Sequence, residues 1–122
     1  MKYVLIFIII IFLYRCDANL WENGKYAVYV MDGRATLGIK MDNEGTFHNR
    51  VEAEVTSVGE NERFIVAKQK YKNNNEVSYY YIEKEKDDMH LNPDEISQGP
   101  FSKKQFDDIS LKLGLPKFSE NF

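Results

Sequence analysis

The residues best suited to hold a metal ion or to act as acids and bases are concentrated between positions 87 and 95. Asp87, Asp88, His90, Asp94 and Glu95 could approach one cation if this loop folded back on itself. Their spacing matches neither an EF-hand loop nor a zinc-protease motif. The other interpretation is a charged surface loop leading to a short helix with carboxylates in its first turn. We expect that loop, and therefore no metal ligands and no cofactor.

Motifs for enzymatic catalysis are missing from the sequence. A nucleophilic enzyme needs an activated Ser or Cys beside a base, but there is no G-x-S-x-G elbow, and neither His48 nor His90 lies in a catalytic motif. Glu52 and Glu54 are interpreted as the polar face of a strand rather than a glycosidase pair. The seven glycines form no phosphate-binding loop. We expect a protein that is not an enzyme and has no catalytic residues.

The composition fits one small domain. The chain has 122 residues, of which 43% are hydrophobic and 29% are charged. A formal net charge of −3 gives no support for a nucleic-acid or anionic-membrane surface. The single cysteine, Cys16, excludes an intramolecular disulfide and a cysteine-cluster zinc site.

The N-terminus has the layout of a secretory signal. Lys2 precedes an uncharged apolar run from Val4 to Leu13. As a helix this segment would be roughly 18 Å long, against a hydrocarbon core of about 30 Å, so it is short for a membrane span. The sequence therefore predicts a leader over residues 1–18 and a single β-rich domain over residues 19–122.

The position of Cys16 leaves more than one form of the exported protein open. Cys16 directly follows the apolar run, as the lipidated cysteine of bacterial lipoproteins does, and Leu13 fits that signal. Tyr14 and Arg15 stand where such signals have small residues. We expect Cys16 to be a lipid anchor. Cleavage after Ala18, giving a soluble periplasmic or secreted product, is the alternative, and an uncleaved anchor is the third possibility.

The first half of the domain shows the two-residue alternation of β-strands. Strands over residues 25–31 and 34–41 are separated by Asp32-Gly33, a strong hairpin signal. A strand over residues 47–56 follows, and its polar positions, Arg50 among them, are expected to face water.

Two further strands and a charged segment follow. Residues 64–71 contain an apolar run typical of a central strand, and residues 77–82 are β-branched and aromatic. The charged run from Glu83 to Asp88 is expected to end the sheet and to be solvated. Together the five strands predict an antiparallel meander sheet, which could curl into a half-barrel.

The C-terminal part changes to a helical period. Ser102 and Gln105 have capping-box spacing, and Gly114 followed by Pro116 supplies a stop. A helix over residues 103–113 is predicted, with a buried stripe of Phe106, Ile109 and Leu113. The predicted fold class is therefore α+β: a five-stranded meander packed by one C-terminal α-helix.

Tyr79, Tyr80 and Tyr81 form the candidate binding surface. Strand alternation places Tyr79 and Tyr81 on one face and Tyr80 on the other. A partly exposed tyrosine row suits protein or glycan contact. Packing under the C-terminal helix is the simpler explanation for these rings.

Several segments together resemble a known family. They are Phe64–Gln69, Tyr79–Ile82, Gly99–Ser102, Phe106 and Leu113–Pro116. The order of these segments resembles that in small exported bacterial lipoproteins of unknown function, and the resemblance covers roughly residues 60–116. The resemblance implies export and no assigned catalytic residues.

These observations predict an exported bacterial envelope protein that acts as a non-enzymatic binding or protective module. We expect a protein partner in the envelope and no binding to nucleic acid. Contact with the membrane is expected only through the leader or the lipid anchor. An immunity or inhibitor protein against a partner enzyme is one alternative, because an acidic domain can meet a basic enzyme surface. A metal-dependent envelope sensor or enzyme that uses His90 and nearby acids is another.

Overall fold

A computed structural model describes residues 19–41, 45–71 and 73–122. The predicted leader and Cys16 lie outside these residues. Within them the chain forms nine strands and three helical segments. The strands are β1 Trp21–Asn23, β2 Tyr26–Met31, β3 Arg34–Lys40, β4 Phe47–Val51, β5 Val55–Glu60, β6 Phe64–Lys70, β7 Val77–Glu83, β8 Gln98–Phe101 and β9 Glu120–Asn121. The helical segments are a 3-10 helix Lys84–Lys86, α1 Pro93–Ile96 and α2 Lys103–Leu113.

The strands form two antiparallel sheets. The first has the order β1-β2-β3-β4, and the second has the order β8-β7-β6-β5-β9. The predicted single five-stranded meander is therefore wrong, although antiparallel pairing, a β-rich fold and the C-terminal helix are confirmed. The predicted strand over residues 47–56 is interrupted at residues 52–54, and β4 and β5 on either side of the break belong to different sheets.

The β2–β3 hairpin agrees with its sequence signal. Asp32 and Gly33 both have positive φ, 54° and 73°, as a tight turn of this kind needs. The two strands then pair in continuous register from Met31↔Arg34 to Tyr26↔Ile39. The turn chemistry therefore determines the register of the β2–β3 pair.

The main core lies between the two sheets. Val28, Leu37 and Ile39 from the first sheet pack with Val58 and Ile65 from the second, and all are almost fully buried. Burial of each such side chain stabilises the fold by about 1.5–3 kcal/mol. This layer was not predicted, because strand alternation shows which residues share a face but not which sheet covers that face.

A second, smaller core lies on the other face of the second sheet, under α2. Alternation along β6 and β7 turns Val66 and Tyr79 to this side, where they contact Phe106. The helix has the predicted bounds and a complete capping box between Ser102 and Gln105. The predicted buried stripe is wrong in part: Phe106 is buried, but Ile109 is half-buried and Leu113 is 37% exposed. The domain is thus built in three layers, first sheet, second sheet and helix.

Across residues 19–41, 45–71 and 73–122, no helix has both the length and the apolarity that a membrane crossing needs.

Candidate functional site

The segment 87–95, which we call the acidic loop, is held to the first sheet by a buried ion pair. The Arg50 guanidinium donates from Nε to Asp87 Oδ1 at 3.0 Å and to Oδ2 at 2.9 Å, and both side chains are 0% exposed. Two predictions are wrong here: Arg50 does not face water, and Asp87 is not solvated. Each supplies the charge that the other needs in order to be buried.

The remaining hydrogen-bonding groups of this pair are also used. Arg50 Nη1 donates to the Asn49 carbonyl at 2.9 Å, and Nη2 donates to the Asp88 carbonyl at 2.8 Å. The Tyr26 hydroxyl donates to Asp87 Oδ2 at 2.7 Å. Burial, and then the hydrogen bond to Asp87, raise the pKa of the Tyr26 hydroxyl well above its ordinary range. The network therefore works as a structural clamp between β4 and the loop.

The other members of the acidic loop are not brought together. His90 is exposed, and its backbone N–H donates to Asp88 Oδ1 at 2.8 Å. His48 Nδ1 lies 2.9 Å from the Met89 carbonyl, as part of the same loop attachment. Among the residues that the structure describes, no three His, Cys, Asp or Glu side chains are grouped so as to hold a metal. Asp94 and Glu95 lie in the first turn of α1.

The three consecutive tyrosines are divided between the two cores, as alternation predicts. Tyr79 lies under α2 and is 8% exposed, while Tyr81 stacks with Phe101 at a centroid distance of 6.0 Å. Tyr80 points to the other side of the sheet and donates to Gln69 Oε1 at 3.0 Å. Burial is the main cause that raises the pKa of the Tyr80 hydroxyl. The three rings therefore do not share one surface.

A concave apolar groove lies between α2, the end of the second sheet and the C-terminal segment 115–118. Its volume is about 640 Å³, within the range of about 300–1,000 Å³ that is usual for small-molecule sites. Its apolar lining consists of Tyr79, Phe106, Leu111, Leu115, Pro116 and Phe118. We refer to this feature as the α2 groove.

Three stacked rings form the floor of the α2 groove. The centroids of Tyr79 and Phe106 are 5.1 Å apart, and those of Phe106 and Phe118 are 5.9 Å apart. Tyr79 and Phe118 complete the cluster at 6.1 Å. Aromatic groups in contact at these distances attract one another and limit each other's rotamers. The floor is therefore a well-packed aromatic cluster.

The C-terminal segment that forms one wall is fixed to β5. The Ser119 N–H donates to the Val58 carbonyl at 2.9 Å. At the neighbouring Gly59, a Cβ would lie only 2.0 Å from the Lys117 carbonyl oxygen. Glycine is required here because the two backbones approach so closely.

The rim of the α2 groove is mainly cationic. It carries Lys68, Lys103 and Lys117, with Asp107 as the one carboxylate among its described lining residues. Lys103 Nζ lies 2.9 Å from Asp107 Oδ2, and this hydrogen bond raises the pKa of Lys103. Lys68 Nζ lies 6.0 Å from the centre of the Tyr79 ring.

Sequence reasoning identified Tyr79 and Phe106 but missed the other groove residues. Leu111 lies off the predicted helical stripe and is 87% exposed. Leu115 and Phe118 follow the helix stop, where no periodicity marks them as part of a core. The signal that could have found them is three apolar residues within four positions of the Gly114 stop: Leu115, Pro116 and Phe118.

The comparisons with known proteins give a family without a function. Residues 23–119 match a family described as a protein of unknown function, DUF3997. The chain belongs to this family. The DUF3997 match covers strands β2 to β8 and every residue that lines the α2 groove. It agrees with the predicted resemblance to proteins of unknown function. No curated protein and no solved structure matches the chain.

Proposed function

We propose that this DUF3997 protein is a non-enzymatic binding module of the bacterial envelope, and that the α2 groove is its binding site. The observation that carries the proposal is a groove of about 640 Å³ whose base is a packed cluster of aromatic rings. A volume of this size equals about 20 water molecules at roughly 30 Å³ each. Removing those waters from apolar walls favours an apolar ligand.

The rim of the groove supports the same proposal. Leu111 is 87% exposed beside the groove, so it adds little to the stability of the free protein. A ligand in the groove would cover this side chain, and the binding free energy would improve by about 25 cal/mol for each Å² of apolar area buried.

A comparison of two variants, each with one leucine of α2 replaced, tests the proposal. The probe is 1-decanol, an uncharged ten-carbon alcohol, titrated into the full-length chain and followed by amide chemical shifts. Leu111→Asp places a carboxylate at the groove, whereas Leu113→Asp makes the same change at a position that does not line it. Both variants keep the apolar N-terminal segment, so any 1-decanol that binds to this segment affects the two variants equally.

We expect Leu111→Asp to weaken 1-decanol binding about tenfold, since an unpaired carboxylate beside a buried chain costs more than 1 kcal/mol. Leu113→Asp should bind 1-decanol within about twofold of the unchanged protein. Equal affinities for the two variants, or no saturable binding to the unchanged protein, would show that the α2 groove is not a binding site.

Export is the second part of the proposal, and it is supported by the Lys2 and Val4–Leu13 pattern. Intact mass measured on the membrane and soluble fractions of producing cells tests it. A lipid-modified Cys16 at the N-terminus of a membrane-bound product is the expected result. A mature N-terminus at Asn19 without lipid would remove the anchor, and an uncleaved chain in the cytoplasmic fraction would contradict export.

A further inference from the structure

We infer that the ligand of the α2 groove is a single-chain anionic amphiphile of the fatty-acid class, with its chain on the aromatic floor and its carboxylate at the lysine rim. This inference rests on the proposed binding function of the groove. It adds the chemical class of the ligand, which the apolar floor alone does not determine.

The charge distribution around the groove carries the first step. Lys103 is already paired with Asp107, but Lys68 and Lys117 have no carboxylate within 4 Å among the described residues. Both line the groove, and Lys68 is only partly exposed. Two uncompensated cations on a protein with a formal net charge of −3 are a local site for an anion.

The size of the groove argues against a helical peptide as the ligand. One α-helical turn with its side chains, about 10 Å across and 5.4 Å long, occupies roughly 420 Å³. The groove of about 640 Å³ therefore accepts about one and a half turns. Helix-in-groove recognition uses anchors that extend over at least two turns.

The sheet beneath the groove also argues against an extended peptide. Lys68 and Tyr79 belong to β6 and β7, and the order β8-β7-β6-β5-β9 gives both strands a neighbour on each side. Their backbone groups are therefore not available to pair with an added strand. An acyl chain needs no hydrogen bonds along its length, and only its head group needs the two lysines.

The test compares two ligands of the same chain length, decanoate and 1-decanol, on three forms of the full-length chain. The first form is unchanged, and the second carries Lys68→Gln and Lys117→Gln. The third carries Lys104→Gln and Lys112→Gln, which remove the same charge from exposed positions of α2 outside the groove. Each of the two groove lysines is worth a factor of about 2 to 5 in affinity for a carboxylate.

We expect decanoate to bind the unchanged protein about tenfold more tightly than 1-decanol does. The Lys68→Gln/Lys117→Gln variant should lose that advantage, while its affinity for 1-decanol stays within twofold. The Lys104→Gln/Lys112→Gln variant should keep the advantage. Equal loss in both double variants would indicate general charge attraction and overturn the inference. Binding of both ligands with no effect of any lysine would overturn it while leaving the binding function intact. Absence of binding by either ligand would refute both.

Discussion

The buried pair of Arg50 and Asp87 makes a prediction about stability that the structure allows us to quantify. Asp87→Asn removes the negative charge and leaves the guanidinium of Arg50 buried with neutral acceptors, which are the carbonyls of Asn49 and Asp88 and the new amide oxygen. Arg50→Met leaves the carboxylate buried, with the Tyr26 hydroxyl as its remaining side-chain donor. Breaking a buried pair in this way costs about 3–5 kcal/mol.

The double variant measures the interaction energy between Arg50 and Asp87. If the single effects were independent, Arg50→Met/Asp87→Asn would lose about 6–10 kcal/mol, which is comparable to the whole stability of a small domain. The double variant, however, buries no uncompensated charge. We therefore expect it to lose no more than either single variant, so the coupling energy is at least about 3 kcal/mol.

Urea unfolding of the full-length chain measures these values. The single tryptophan, Trp21, packs against the inter-sheet core, so its fluorescence reports unfolding of the two sheets. The control is Asp107→Asn, which breaks the exposed pair with Lys103 and should cost no more than about 0.5 kcal/mol. An Asp87→Asn loss below about 1 kcal/mol, or additive effects in the double variant, would refute the assignment of a buried clamp.

Three further predictions concern a hydroxyl, a helix cap and a glycine. Because the pKa of Tyr26 is raised above its ordinary value of 10.0 in the folded protein, the tyrosine ionises first in the unfolded chain. This contribution to the free energy of unfolding is complete below pH 10 and is lost above it. Between pH 9 and pH 11, Tyr26→Phe should therefore lose about 1 kcal/mol less unfolding free energy than the unchanged protein, as measured by urea unfolding. Equal losses in the two proteins would contradict this. Ser102→Ala removes the capping box of α2 and should cost about 1 kcal/mol in thermal or urea unfolding, whereas a loss below about 0.3 kcal/mol would exclude an energetic role for the cap. Gly59→Ala brings a Cβ into the Lys117 backbone and should cost about 1–3 kcal/mol, with faster hydrogen exchange at the Ser119 amide; unchanged exchange there would show that the segment is not held as described.

Local features of the fold could be predicted from the sequence because local chemistry determines them. The β2–β3 hairpin depends on Asp32-Gly33, and α2 depends on its own cap and its Gly114 stop. Both are decided by residues within a few positions of the feature. The division into two sheets depends instead on a break at residues 52–54, where alternation of apolar and polar residues continues as though the strand did not end.

The buried charges and the groove could not be predicted for a related reason. Arg50 and Asp87 are far apart in the sequence, and each alone has the pattern of a solvated residue; only their pairing makes burial possible. Tyr79 and Phe106 were recognised as packing residues from their positions on a strand and a helix. Phe118 was missed because it belongs to neither, and its place in the floor depends on how the C-terminal segment returns to β5.

The most direct test of the binding function is the position of a bound ligand. Full-length protein saturated with decanoate should give intermolecular nuclear Overhauser effects between the decanoate methylenes and the ring protons of Tyr79, Phe106 and Phe118. These three rings form the floor of the α2 groove, so contacts to all of them place the chain there. Contacts to other parts of the domain without these rings, or no contacts within residues 19–122, would contradict the assignment of the groove as the binding site.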